Sequence, residues 1–320
     1  MPRSRAALAA TTVAVGCAAV LVAGPALFDL YWMRVLTGVF MFATAAQALN
    51  IIAGYTGYPA FGNVVFFGVG AYWTAVLMVE YAVVFPLALA SAVLISLLLA
   101  LLVGPPLLRL RGHYFAVGTL ALNEAIRAIV DNLGVTGGGK GLSLPIPPGT
   151  AEGIAALFYY LFLGAMALAL LVSWLVSRSR FGQGLRAIRD EEQAAESLGV
   201  NTTRAKTVAW GISAMLTGLA GGIWAYWIGY IDPGGAFDMT IAVKLFVMAL
   251  LGGMGTLLGP IIGAFFIEIA TVVVWVNFLN YHLLIMGVIV VAVVLFLPGG
   301  LAQFVRERLR LSFSPAGGRP

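Results

Sequence analysis

Long apolar runs, separated by short polar or glycine-containing segments, follow one another along the whole 320-residue chain. A helix needs about 20 apolar residues to cross a bilayer. Runs of that length predict ten spans, at 6–26, 35–53, 60–79, 82–103, 113–130, 154–176, 207–229, 240–258, 260–279 and 282–298. The fifth run is the weakest because Asn123, Glu124 and Arg127 interrupt it. The pattern predicts an all-α polytopic membrane protein, a bundle of 8–10 transmembrane helices with short loops, in one domain over 1–320.

Composition and charge agree with a lipid environment. Only 10% of the residues are charged, against about a quarter in soluble domains. The apolar run that begins at Ala6 follows Arg3 and Arg5, as in a signal peptide, but it continues well past Cys17, so we expect it to stay as the first span.

The basic residues set the expected orientation. With the N-terminus inside, 14 of the 18 Lys and Arg residues fall in cytoplasmic segments: Arg3, Arg5, Arg109, Arg111, Arg178, Arg180, Arg186, Arg189, Arg204, Lys206, Arg306, Arg308, Arg310 and Arg319. This positive-inside bias predicts that both termini are cytoplasmic and that residues 131–153 form an outer loop. The net charge of +5 therefore reports topology and does not indicate nucleic-acid binding.

The long polar segment at 178–206 is predicted to carry a short cytoplasmic helix. Asp190 can cap residues 191–198, with Gln193 three positions later, and Gly199 fits the position after the helix. Such a rod would be about 12 Å long, with Ala194, Ala195 and Leu198 on one face.

Several stretches of the chain carry distinctive motifs. They are 49–57 (LNIIAGYTG), 61–63 (FGN), 66–72 (FFGVGAY), 110–142, which begins LRGHYFA, 180–190 (RFGQGLRAIRD), 193–199 (QAAESLG) and 251–260 (LGGMGTLLGP). Together they resemble the branched-chain amino-acid ABC permease family, specifically its M-type subunit. The run 193–199 resembles the EAA-type signature of ABC importer permeases, although Gln193 stands where that signature usually has Glu, a role that the neighbouring Glu192 could take.

The resemblance implies a permease subunit that imports amino acids, most closely Leu, Ile and Val, through a bacterial inner membrane. It implies as partners a second permease, two ABC ATPases that bind the ATP and Mg, and an external solute-binding protein, with no catalysis or cofactor in this chain. Contacts to the ATPase are then expected from Arg186, Arg189, Asp190, Glu191, Glu192, Gln193, Ala194, Ala195, Leu198 and Gly199. A urea or short-chain amide permease of the same family is an alternative.

Polar and glycine residues inside apolar runs are the candidates for the translocation pathway. They are Asn50, Gly54, Tyr55, Thr56, Gly57, Asn63, Asn123, Glu124, Gly253, Gly255 and Thr256. The glycine-rich segments are either tight turns or irregular backbone beside the pathway, and the asparagines are either helix–helix contacts or solute contacts.

Charged residues inside predicted spans leave a second class of function open. Glu124 and Arg127 are three residues apart and are expected to form an ion pair. Glu268 and Lys244 are expected at depths about 10 Å apart, and therefore need not pair. In an ion-coupled secondary transporter, Glu124 and Glu268 would carry the coupling. The Walker-like run 134–141 lacks the final Ser or Thr, and the two histidines show no metal-binding spacing.

Overall fold

The computed structural model describes residues 21–110, 112–277 and 287–288. The first predicted span, 6–26, and the last, 282–298, lie almost wholly outside these described residues. The helices are α1 Gly24–Leu27, α2 Leu30–Leu49, α3 Val64–Val79, α4 Phe85–Leu107, α5 His113–Asn132, α6 Ala151–Arg178, α7 Arg180–Asp190, α8 Glu192–Ser197, α9 Thr202–Ile228, α10 Pro233–Ala236, α11 Met239–Gly252 and α12 Gly259–Asn277. Two short strands, β1 Leu142–Ser143 and β2 Tyr230–Ile231, pair in antiparallel register.

Six described segments are long and apolar enough to cross a membrane. They are Leu30–Gly54, Phe61–Val79, Phe85–Leu107, Ala151–Arg178, Thr202–Ile228 and Pro233–Gly252. This confirms the prediction of an all-α, multi-span membrane protein. The predicted fifth span is present as the helix α5, but it does not belong to this apolar set.

The core is built around α9, which packs against α2, α3 and α4. Glycines allow the backbones to approach closely: a Cβ at Gly70 would meet the carbonyl of Gly218, and one at Gly221 would meet that of Phe67. By contrast, α4 buries only a stripe at every fourth position, namely Ala88, Ala92, Ser96, Ala100 and Gly104. Small residues at helix interfaces and leucines facing outward are what lipid-embedded packing predicts.

The turn between α11 and α12 corrects the predicted depth of two charges. The predicted span 240–258 is wrong at its end, because α11 stops at Gly252 and α12 begins at Gly259. Lys244 therefore lies eight residues before the turn and Glu268 nine residues after it. At this matched depth their Nζ and Oε2 atoms are 2.6 Å apart, so the expected depth difference of about 10 Å is wrong and the two side chains form an ion pair.

The bundle has two distinct ends. We call the end that carries α7 and α8 the loop end, and the opposite end, which carries β1 and β2, the hairpin end. The β pairing, Leu142 with Ile231 and Ser143 with Tyr230, joins the 131–153 loop to the segment after α9. The Walker-like run folds there as two 3-10 turns, Gly134–Thr136 and Gly138–Lys140.

Candidate functional site

The α7–α8 unit is fixed firmly to the end of α6. Ser179 caps α7 by accepting a hydrogen bond from the backbone N–H of Gly182, at 3.0 Å. Leu185 and Ile188 are buried against the bundle on the inner face of α7. Arg186, on its outer face, donates to the carbonyl of Ser177 at 2.8 Å, so it braces the turn between the two helices.

The short helix exists, but its start differs from the prediction. Asp190 is the last residue of α7, so it does not cap α8. Glu191 occupies the N-cap position with extended backbone and no capping hydrogen bond from its side chain. The helix therefore has six residues, Glu192–Ser197, and is about 9 Å long.

The end of α8 follows the prediction closely. Gly199 has a φ of +87°, a left-handed conformation that glycine adopts without strain. The N–H of Gly199 donates to the carbonyl of Glu196, and the N–H of Val200 donates to that of Ala195. These two bonds are those of a Schellman motif, which ends a helix at a fixed residue.

The predicted face of α8 is split between the bundle and the outside. Ala195 is buried against the bundle, so its grouping with Ala194 and Leu198 is wrong. Ala194 and Leu198, four residues apart, face outward with Gln193, and Leu198 is 83% exposed. An exposed leucine beside an alanine gives this small projecting helix an apolar tip that a partner surface can approach.

Glu192 does not belong to that outward surface. One of its carboxylate oxygens lies 2.5 Å from Nζ of Lys206, and the other accepts a hydrogen bond from the Tyr58 hydroxyl at 2.5 Å. Only 15% of the Glu192 side chain is exposed. The Glu192 carboxylate is therefore turned toward the bundle, whereas Gln193 is exposed.

Lys206 was predicted only to lie in the cytoplasmic segment 178–206, and the structure places it in a buried position on a helix. It lies in the second turn of α9 and is only 2% exposed. Its Nζ donates to Glu192, to the Tyr58 hydroxyl at 2.8 Å and to the carbonyl of Leu108 at 3.3 Å. We call Lys206, Glu192 and Tyr58 the Lys206 cluster.

Arg189 connects α7 to the two glycine-rich segments. Its guanidinium donates to the carbonyl of Gly54 at 2.8 Å. The side chain also lies beside Gly57 and Gly255, whose φ values are +75° and +81°. A predicted coupling residue therefore touches predicted pathway residues directly.

The two glycine-rich segments meet through Asn50. Its side-chain amide donates to the carbonyl of Thr256 at 2.9 Å, and its side-chain oxygen accepts from the backbone N–H of Gly255 at 2.7 Å. Asn50 begins a π-helical turn, Asn50–Gly54, that interrupts the regular hydrogen bonding of α2. We call residues 50–57 and 253–256 together the glycine junction.

The other pathway candidates in the junction fall into two groups. Tyr55 and Thr56 are buried, and the Thr56 hydroxyl donates back to the carbonyl of Ile52 at 2.6 Å. Gly253 is also buried, with a φ of +108°, and its carbonyl accepts from the Thr256 hydroxyl at 2.7 Å. Thr256 and Gly57 are the exposed members, and Gly57 lies beside Arg189.

Asn63 lies apart from the junction, inside the bundle. Its amide donates to the Thr217 hydroxyl at 2.9 Å, and its oxygen accepts from the indole N–H of Trp210 and the Ser213 hydroxyl, at 3.2 and 3.3 Å. With its amide and oxygen both engaged, Asn63 acts as a contact between the start of α3 and α9. This geometry favours the helix-contact alternative over a solute contact.

The candidates on α5 point in opposite directions. Asn123 is buried and donates to the carbonyl of Phe237 at 2.9 Å, which fixes α5 to the segment after α10. Glu124 faces outward with 47% of its side chain exposed, and it pairs with Arg127 at 3.5 Å, as predicted. The predicted pathway residues thus form three separate groups: the glycine junction, the Asn63 contact and the face of α5.

Sequence reasoning missed Lys206 and Tyr58 as members of a site. Lys206 stands at the start of an apolar helix among small residues, where a lysine normally reports only orientation. Tyr58 follows the Gly57 turn, and nothing local shows that its hydroxyl meets a residue far along the chain. The contacts of Lys206 with Glu192 and Tyr58 join residues 14 and 148 positions apart, so no local sequence pattern reveals them.

Comparisons with known proteins agree with this architecture. A family model described as "Branched-chain amino acid transport system / permease component" matches residues 31–294. The high-affinity branched-chain amino acid transport system permease protein LivM of Salmonella typhimurium is 31% identical over 89% of this chain and 73% of its own length. LivM of Escherichia coli K12 is 30% identical over 93% of this chain and 76% of its own length.

More distant similarity reaches a different transport system. The autoinducer 2 import system permease protein LsrC of Klebsiella pneumoniae is 35% identical, over 54% of this chain and 57% of its own length. No solved structure matches the chain. The match over residues 31–294 and the similarity to LivM over most of the chain lead to one conclusion: this multi-span membrane protein belongs to the family of permease components of the branched-chain amino acid transport system.

Proposed function

We propose that this chain is the transmembrane permease subunit of an ATP-driven ABC importer for branched-chain amino acids. The similarity to LivM supports the solute class. The observation that carries the ATP-driven part is the projecting tip of α8, an exposed Leu198 beside Ala194 on a firmly attached short helix. Such a surface suits docking to a motor protein, because α8 is attached to the bundle through α7, which is itself capped and packed against it.

The proposal includes an orientation and a partner set. The loop end faces the cytoplasm, where most Lys and Arg residues lie, and both termini are on that side. One of the two ABC ATPases docks on α7 and α8 of this chain, and the pair of ATPases holds the ATP and Mg. The solute-binding protein delivers the amino acid at the hairpin end, near the 131–153 loop.

The outward face of α5 is the proposed lining of the pathway, shared with a second permease subunit. Glu124 and Arg127 lie near the middle of this helix with 47% and 42% of their side chains exposed. A charge facing lipid at mid-membrane costs about 3 kcal/mol on insertion scales. The cost is avoided when this face meets protein or water, and paired charges suit a zwitterionic solute.

Reconstitution tests the proposal directly. The chain, its partner permease, two ATPases and the binding protein are placed in proteoliposomes, and uptake of labelled leucine is measured with and without ATP. We expect uptake only when ATP and the ATPases are present. Uptake by this chain without an ATPase would contradict the proposal, and uptake that follows an imposed pH gradient would favour the ion-coupled alternative.

A substitution at the tip of α8 tests the docking surface. Leu198→Asp should abolish co-purification of the ATPases without unfolding the permease, because the side chain projects away from the bundle. Ile146→Asp is the matched control: it replaces an exposed apolar residue in the loop at the hairpin end, and ATPase binding should persist. Normal ATPase binding by Leu198→Asp would refute the assignment of α8.

The solute is tested separately, because the binding protein selects it. Calorimetry of the binding protein with leucine, isoleucine, valine, urea and acetamide distinguishes the branched-chain assignment from the urea or amide alternative. Tight binding of urea with no binding of leucine would replace the solute and leave the ATP-driven mechanism intact.

A further inference from the structure

Lys206 occupies the point where four segments of the chain meet. Its ammonium group reaches Glu192 of α8, the Tyr58 hydroxyl beyond the π-helical turn, and the carbonyl of Leu108 at the end of α4, while Lys206 itself belongs to α9. An ammonium group has three N–H donors, and these three acceptors use all of them. The Nζ atom also lies 4.2 Å from the centroid of the Tyr58 ring, within range of a cation–π contact.

Burial makes this cluster difficult to separate. Lys206 is almost fully enclosed, so lifting α8 away from α9 would leave a buried cation without its carboxylate. Leaving one partner of a buried ion pair uncompensated is strongly unfavourable. A displacement of α8 is therefore more readily passed to α9 than absorbed by local opening.

A second contact between α8 and α9 points in the same direction. The Thr202 hydroxyl, in the first turn of α9, donates to the Glu196 carboxylate at 2.6 Å. Both Glu192 and Glu196 thus attach α8 to α9, at Lys206 and Thr202 respectively. From this attachment α9 runs for 27 residues through the core, about 40 Å, to the hairpin end.

We infer that Lys206, with Glu192 and Tyr58, is the joint through which motion of α8 reaches α9 and the glycine junction. The inference rests on the proposed function, since it assumes that ATPases move α8. Lys206 acts as a positioning residue: it touches neither solute nor nucleotide, and it makes α8 and the membrane-spanning helices move together. The outward tip of α8 then binds the motor, while its inward carboxylate transmits the motion.

The experiment uses the complete reconstituted complex and compares Lys206→Met with Arg204→Met. Arg204 is an exposed cation two residues earlier on the same helix, outside the cluster. The measurements are ATPase co-purification, ATP hydrolysis with and without the binding protein, and labelled leucine taken up per ATP hydrolysed. For Lys206→Met we expect normal ATPase binding, hydrolysis that the binding protein no longer stimulates, and at least a tenfold lower uptake per ATP. Arg204→Met should match the wild type.

A double variant separates transmission from folding stability. The cost of removing one partner of a buried ion pair comes from the uncompensated charge that remains, so Lys206→Met with Glu192→Gln, which leaves no charge, should recover the melting temperature lost by Lys206→Met alone. Uptake per ATP should stay low, because the joint is still absent. Uptake that recovers together with the melting temperature would overturn the inference, since the pair would then contribute only to stability.

Two controls keep the outcome decisive. If Lys206→Met fails to assemble, Tyr58→Phe removes one hydroxyl and retains the ring, and a smaller fall in uptake per ATP is expected; an unchanged ratio overturns the inference. Failure of the wild-type complex to take up leucine or to respond to the binding protein would refute the proposed function itself. Wild-type coupling together with normal coupling in Lys206→Met would refute the joint alone.

Discussion

The pair formed by Lys244 on α11 and Glu268 on α12 gives a quantitative test of the bundle's interior. The Nζ and Oε2 atoms are 2.6 Å apart, with 18% and 13% of the side chains exposed. The lysine Nζ also lies 4.0 Å from the centroid of the Phe42 ring on α2. The pair therefore holds α11 and α12 against α2 within the apolar part of the molecule.

The expected energies follow from what each variant leaves behind. Glu268→Gln leaves a lysine cation without its carboxylate, which should cost about 3 kcal/mol, the low end for a broken buried pair because lysine can extend toward the interface. Lys244→Met should cost about 3 kcal/mol for the corresponding reason, because it leaves the carboxylate without its cation. The double variant leaves no charge, and we expect a loss of at most about 1 kcal/mol.

A double-mutant cycle measures these values. The unfolding free energies of the wild type, the two single variants and the double variant are obtained from SDS titrations in mixed micelles, and the cycle isolates the interaction of the pair. Additive losses in the two single variants would refute the reasoning, because they would mean that the side chains do not interact in the membrane. In that case the matched depth of α11 and α12 would also be wrong.

The same variants distinguish two classes of transporter. If Glu268 serves only as a structural partner, the double variant should retain ATP-driven leucine uptake within about twofold of the wild type. In an ion-coupled transporter that relied on Glu268, the double variant would lose transport although its stability was restored.

Three further substitutions and one control test the polar and glycine contacts of the bundle. Asn63→Leu should lower the unfolding free energy by about 1–3 kcal/mol, because buried donors on α9 lose their acceptor; an unchanged SDS titration would contradict the contact. Asn50→Ala should accelerate hydrogen exchange at the Gly255 amide at least tenfold, since that N–H loses its acceptor; equal protection would mean that the junction does not depend on this side chain. Gly70→Ala places a methyl group against a carbonyl of α9 and should lower the unfolding free energy by about 1–3 kcal/mol. The control Gly164→Ala has open space around it and should raise the unfolding free energy, by at most about 1 kcal/mol. Equal melting temperatures of the two variants would refute the close packing.

The sequence locates the six apolar spans of the described residues because lipid imposes a simple rule. Each helix must satisfy its own backbone and present about 20 apolar residues, and both conditions appear in a window of the chain. The Schellman ending of α8 was predictable for a similar reason, since Gly199 is a local signal for a helix end.

The contacts between elements could not be predicted in the same way. A shift of six residues in the end of α11 moved the turn and brought Lys244 level with Glu268, although span counting had placed them about 10 Å apart. Helix ends are the least certain feature of a hydropathy pattern, and each residue changes depth by about 1.5 Å. The depth difference between two residues on neighbouring helices depends on the predicted ends of both helices, so both errors enter it.

Lys206 shows a second limit of the pattern. A basic residue near the end of an apolar run satisfies the positive-inside rule whether it is solvated or buried. What buries Lys206 is the arrival of the Tyr58 hydroxyl, the Leu108 carbonyl and the Glu192 carboxylate from three other segments. The two glycine segments show the same limit. Their contact through Asn50 joins residues more than 200 positions apart, so no local pattern could predict it.

The contacts along α9 divide into two kinds, and this division determines how a movement at the loop end would spread. Near its start, α9 is held by charged and hydroxyl contacts to α8 at Lys206 and Thr202. Farther along, the backbones of α3 and α9 touch at Gly70 and Gly221 with no room for a side chain, so these two helices cannot slide past each other without separating. Motion delivered through Lys206 in the proposed transport cycle would therefore move α3 and α9 as one body. The glycine junction, where regular helical hydrogen bonding is already interrupted, is the place where the remaining helices can bend to accommodate it.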